Sequence, residues 1–142
     1  MRTTILAFVG MLALAPVLAQ AADLEVGQTL KCQSTGPNKE LYATIGRIET
    51  HTDGRIVVSV SLFNQAPKAD IPVLAHIPVD APALFTSCPT TRAPIALSPD
   101  FETGYQEWRS SKGAVFTVSV DRIYDYVVSL VAKSRQGGSV VR

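Results

Sequence analysis

The sequence predicts a small α+β domain: a curved antiparallel sheet or partly open barrel of about five strands, covered by a C-terminal helix and held by one disulfide. Two β-rich runs, "ELYATIGRIET" and "RIVVSVSLFN", flank Asp53-Gly54 as the arms of a hairpin do. A proline-flanked alternating run follows at 71–79, and near the end the spacing turns helical in "DRIYDYVVSLVAKSR". Two cysteines, Cys32 and Cys88, are the only ones in the chain.

The N-terminus is set apart from this domain. "MRTTILAFVGMLALAPVLAQAAD" places Arg2 before an apolar run over 5–18 and then small residues, the three-part order of a secretory signal. The run falls short of the roughly 20 residues that span a bilayer, and Pro16 disturbs its end. Cleavage is expected after Ala21, with Ala19 as the second choice, so that 1–21 is removed and no membrane anchor remains. The rest of the chain reads as one domain over 22–136 with a flexible tail over 137–142. The protein is expected to be exported, to a periplasm or out of the cell.

Export decides how the cysteines are read. In an oxidising compartment two thiols in a small domain pair, and closing a loop of about 57 residues contributes roughly 4 kcal/mol on the chain-entropy model. Removing Arg2 also changes the charge balance. The 13 basic and 12 acidic residues of the full chain become twelve of each, without a basic cluster. A nucleic-acid partner is therefore not expected.

Along the domain, "DLEVGQTLKCQ" is a short strand and "STGPNK" a turn. In the hairpin, a two-residue Asp-Gly turn would set Arg47 against Val60 and Glu49 against Val58, mixing charges with valines. A three-residue loop, Thr52-Asp53-Gly54 with Gly54 left-handed, instead pairs Ile48 with Val58, Thr50 with Ile56 and Thr44 with Leu62. Arg47, Glu49, Ser59 and Ser61 then share the polar face. In "DIPVLAHIPV", Ile71, Val73, Ala75, Ile77 and Val79 form the apolar row, while Pro72, Leu74, His76 and Pro78 have the opposite parity. Proline cannot donate to a ladder, so this is an edge strand with His76 turned from the apolar row.

Asp80 is placed to cap a short helix, "APALFTSC", whose Ala81, Leu84, Phe85 and Cys88 share one side. "PTTRAPIALSP" reads as a crossing loop, after which Ser98-Pro99 starts a helix with Phe101, Tyr105 and Trp108 on one face. "AVFTVSV" is expected to be the last strand. The final helix begins at Asp121, has Ile123, Val127, Leu130 and Val131 as its core face, and carries Lys133 and Arg135 in its last turn.

Candidate chemistry is thin. His76 lies twelve residues before Cys88, the pair a thiol hydrolase would use, but a bridged cysteine on a buried stripe cannot form a thiolate. His51 reads as a solvated turn residue. Two histidines 25 positions apart have no metal-ligand spacing, and no metal or cofactor is expected. Glycine-rich phosphate loops and a nucleophile elbow are both missing from the sequence. Glu102 and Glu107 fall on different helix faces, and Asp121 with Asp125 in a first helical turn answers the helix dipole.

Tyr105, Trp108 and Arg109 are of the types enriched where interfaces bind most strongly. Together with His76 they form the candidate binding surface, although Phe101, Tyr105 and Trp108 equally suit a packed core. The expected function is a non-enzymatic binding module, an inhibitor or envelope accessory protein, whose partner is another protein or an envelope component. The alternative is a small exported hydrolase with a site that includes His76. Pro72 and Pro78 blunt the edge strand against pairing with another chain, so a monomer is expected.

Overall fold

The computed structural model describes residues 24–140. The expected signal 1–21 and its cleavage sites lie outside the described residues. Five strands, β1 (Thr29–Lys31), β2 (Leu41–Thr50), β3 (Ile56–Asn64), β4 (Val73–Asp80) and β5 (Thr90–Arg92), form one antiparallel sheet in the order β4-β3-β2-β1-β5. The sheet is open, not closed into a barrel. Among these residues three helices complete the α+β fold: α1 (Ala81–Ser87), α2 (Phe101–Ser111) and α3 (Val120–Val140).

Turn chemistry sets the hairpin. The His51 N–H donates to the Arg55 carbonyl at 2.8 Å and the Gly54 N–H to the His51 carbonyl at 2.9 Å, closing a three-residue loop with Gly54 at φ 86°. Ile48 therefore faces Val58 and Thr50 faces Ile56, as the sequence predicts. Thr44 faces Ser61 and not Leu62, because a bulge between Ile45 and Arg47 admits Gly46 as an extra residue and shifts the register beyond it.

Leu41, Ala43, Ile45, Val58, Val60 and Leu62 bury one face of the sheet against Ala81 and Leu84 of α1 and Val120, Ile123 and Tyr124 of α3. The Cys32–Cys88 disulfide joins the end of β1 to the end of α1 and lies within this core, with Cys88 only 1% exposed. A disulfide suits an oxidising, exported location. Asn64 and Tyr124 knit the far end: the Asn64 side-chain amide donates to the Tyr124 hydroxyl, which donates to the Ile71 carbonyl. Lys39 pins the turn after β1 to α3, its Nζ lying 2.6 Å from Asp121 and 3.1 Å from Asp125.

Several expectations change with the chain in three dimensions. β4 is an edge strand, but a second bulge, opposite Ser61, breaks its alternation. Leu74, Ile77 and Val79 fill the core while Val73 is exposed. Asp80 stands at the N-cap position of α1 without a side-chain cap bond. Thr90–Arg92, inside the expected crossing loop, pairs with β1 as β5. The stretch expected as the last strand makes one parallel bridge, Val79 to Phe116, through bonds from the Phe116 N–H to the Pro78 carbonyl and from the Asp80 N–H to the Phe116 carbonyl. Helix α3 runs to Val140, so Lys133 and Arg135 are not in its last turn, and Leu130, expected on its core face, is 44% exposed. No helix among the described residues is long and apolar enough to cross a membrane.

Candidate functional site

The second face of the sheet positions every candidate side chain. Its middle is small and polar, Thr29, Thr44, Ser59 and Ser61, and all four are buried. A buried hydroxyl needs a partner, and the chain supplies one for each. Thr29 and Thr44 bond to each other at 2.8 Å, Thr44 donates to the Ile95 carbonyl at 2.8 Å, and the Ile95 N–H donates to Thr29 at 2.9 Å. Ser61 donates to the Ala75 carbonyl at 2.8 Å and accepts the Ser98 N–H at 3.1 Å. These bonds lay the segment before α2 across the sheet and deliver α2 onto β4 and β3.

His76 stands where α2 comes down. Its Nε2 is 2.9 Å from Ser59 Oγ, and its ring centroid is 5.4 Å from Phe101, 5.7 Å from Tyr105 and 5.4 Å from Trp108. The imidazole has the expected parity, opposite Ile77 and Val79, but α2 covers the face that parity gives it. Two glycines permit the approach. A Cβ on Gly104 would lie 2.8 Å from His76 Cβ, and one on Gly46 would lie 2.3 Å from the Phe101 ring. The bulge that shifts the hairpin register is thus also the seat of Phe101. Burial pushes the His76 imidazole down to about 4, and the Glu49 carboxylate opposes this only in part.

Glu49, on β2, is the polar hub of α2. It accepts hydrogen bonds from the Tyr105 hydroxyl and from Arg109, the latter at 3.0 Å. Burial and the Glu49 bond raise the Tyr105 phenol above its ordinary value. Arg47 lies 4.2 Å from the Tyr105 ring centroid and pairs with Glu102 at 3.1 Å. The hairpin register had already put Arg47, Glu49 and Ser59 on one face. Their link to His76, Tyr105 and Arg109 was not visible, because it needs α2 overhead.

The candidate surface therefore divides. Tyr105 is 4% exposed and His76 half-buried, so both belong to the packing under α2. Trp108 is partly buried, as His76 is, and Arg109 is exposed at the end of that helix. Trp108 donates its indole N–H to the Ala114 carbonyl at 3.1 Å and lies near His51, ring centroids 6.0 Å apart. With Lys112 and Thr50 they line a shallow hollow of about 380 Å³. A groove of about 700 Å³ on the other side of Trp108 runs along β4 between α2 and α3. A cavity of about 490 Å³ beside the disulfide is bordered by Asp80, Pro82, Thr117 and Asp121.

For catalysis, Cys88 is bonded to Cys32 and offers no thiolate. The Ser59–His76 distance is that of a nucleophile and its base, but Ser59 is 2% exposed and no substrate reaches it while α2 is docked. Glu102 is held by Arg47 and Gln106, and Asp121 with Asp125 by Lys39. No three His, Cys, Asp or Glu side chains converge among the described residues. The chain matches no protein-family model, and comparison with curated proteins and with solved structures finds no match.

Proposed function

We propose that the protein is a small exported binding module, an inhibitor or envelope accessory protein, that engages another protein or an envelope component through the end of α2. The observation that carries this reading is the placement of the chain's only tryptophan. Trp108 is held by its indole N–H and by two imidazoles, and the part of it left uncovered lines the hollow beside Arg109, His51 and Lys112. A rigid aromatic with cations at its rim is the composition of interface anchors, and its position costs little side-chain entropy on binding. Glu49, which also borders this hollow, already accepts bonds from Tyr105 and Arg109.

The test is capture of partners from the source's own envelope and secreted fractions by the chain from residue 22 onward. Trp108→Ala and Lys112→Glu should each reduce the captured partner at least about tenfold, the loss of an anchor worth roughly 1.4 kcal/mol. Tyr126→Ala, on exposed α3, should not. Equal capture by all three would remove the surface from consideration.

The hydrolase reading keeps one observation in its favour, the 2.9 Å approach of Ser59 to His76. It requires α2 to move before substrate can enter. Ester hydrolysis abolished by Ser59→Ala in a protein that still folds would favour it.

A further inference from the structure

α2 is a layer apart from the main core. No α2 residue joins the cluster formed by the sheet, α1 and α3. α2 holds to the sheet through Phe101, Tyr105 and Trp108 around His76, and through two ion pairs at its rim, Arg47 to Glu102 and Arg109 to Glu49. We propose that α2 is an acid-releasable cover: a proton on His76 undocks it from β3 and β4 and dismantles the Trp108 face. This deepens the proposed binding role by giving that surface a regulator, and it rests on that role only for its consequence.

The geometry gives an imidazolium at this position no carboxylate in ion-pair contact. From β3 it meets the neutral Ser59. From β2 come Glu49, already bonded to the Tyr105 hydroxyl and Arg109, and Arg47, a second cation over the Tyr105 ring. From α2 come Tyr105, Arg109 and Glu107; Glu107 and Arg135 of α3 line the open groove with opposite charges. The α2 backbone closes on the ring's own Cβ, so close at Gly104 that no Cβ fits between. The side of the ring that faces α2 therefore cannot be hydrated without displacing that helix. Protons have access, because His76 also borders the groove along β4.

The sign is set by the direction of the shift. The docked state holds His76 at about 4 and the undocked state returns it to its ordinary value near 6.5, so the undocked state binds the extra proton. Docking is fully supported above that ordinary value and is progressively lost as pH falls through the interval toward the lower one. The Gln106 and Arg47 bonds hold the Glu102 carboxyl below its ordinary value, so its pairing with Arg47 is lost only at still lower pH and acts in the same direction.

Amide hydrogen exchange on the isolated chain, corrected for intrinsic rates, tests the device without any partner. Between pH 7 and pH 4.5, which still lies above the docked value of about 4, amides of α2 should lose protection while those of β2 and β3 keep it. Trp108 fluorescence, free of any other tryptophan, should shift over the same interval. His76→Phe should hold α2 protected to lower pH by at least about one unit, and His76→Gln serves if the phenylalanine variant does not fold. Protection of α2 unchanged at pH 4.5 would overturn the inference. So would simultaneous loss in β2 and β3, or the same transition in both His76 variants. If the transition occurs but capture ignores Trp108→Ala, the binding reading fails and the acid release stands.

Discussion

Gly104→Ala sets two effects of similar size against each other at one atom. In an exposed helix interior the change stabilises by about 1 kcal/mol, because alanine loses less backbone entropy than glycine. At position 104 the new Cβ would stand 2.8 Å from His76 Cβ, whereas carbon atoms rest about 3.5–4.0 Å apart. The obstructing atom is the root of a side chain on a hydrogen-bonded strand and cannot swing away. α2 must lift by roughly 1 Å, and a gap of that size forfeits a quarter to a half of each contact's attraction under Phe101 and Tyr105. Overpacking of this kind costs about 1–3 kcal/mol. The net expectation is destabilisation by about 1 kcal/mol, or roughly 3–6 °C in Tm for a domain of this size. Urea unfolding followed by circular dichroism and Trp108 fluorescence measures it. Thr103→Ala, on the exposed side of α2, is the control and should stabilise by about 0.5 kcal/mol through propensity alone. His76→Gly, which removes the opposing Cβ, should turn Gly104→Ala from destabilising to stabilising. If Gly104→Ala raises Tm by as much as propensity alone predicts, α2 does not rest on β4 as described.

Particular contacts lead to three more expected outcomes. Lys112 ends α2 at φ 53°, where an L-residue carries about 1–2 kcal/mol of strain; glycine relieves it at an entropic cost of about 0.5–1 kcal/mol, so Lys112→Gly should stabilise by about 0.5 kcal/mol in thermal unfolding. Burial pushes the Asp121 carboxyl up, but bonds from Lys39 and Thr35 prevail and hold it below its ordinary value. That stabilisation is present above the ordinary carboxylate value and is lost as pH falls through the lower folded one. Asp121→Asn should therefore cost about 1–3 kcal/mol at pH 7, where it leaves Lys39 only the more exposed Asp125 as a carboxylate partner, and nearly nothing near pH 2, and parallel urea curves at the two pH values will check it. Cys32→Ser should cost roughly 4 kcal/mol, about as much as replacing both cysteines, since either change opens the same loop; unequal losses would show that the single free thiol acts on its own.

The features legible along the chain are those that local rules reach. Glycine at position 54 and the opposed parities of valines and charges set the hairpin tip, and the register there is the one the side chains require. Pro72 and Pro78 mark β4 as an edge, and two cysteines in a chain read as exported leave one intramolecular pairing. Which faces are covered is settled only by long-range packing. His76 has the parity its strand assigns, but its environment comes from α2, and the segment leading into α2 is held by hydroxyls on β1, β2 and β3 that look like solvent-facing residues in the sequence. The bulge at Gly46 becomes a seat only because Phe101, 55 positions later, lands on it. β5 pairs because the disulfide and the end of α1 bring Thr90–Arg92 beside β1, where two β-branched threonines suit a strand that three exposed residues alone do not reveal. Alternation and turn chemistry depend on a residue's immediate neighbours in the chain. Burial, and with it the chemistry of His76, depends on which distant segment closes over the same face.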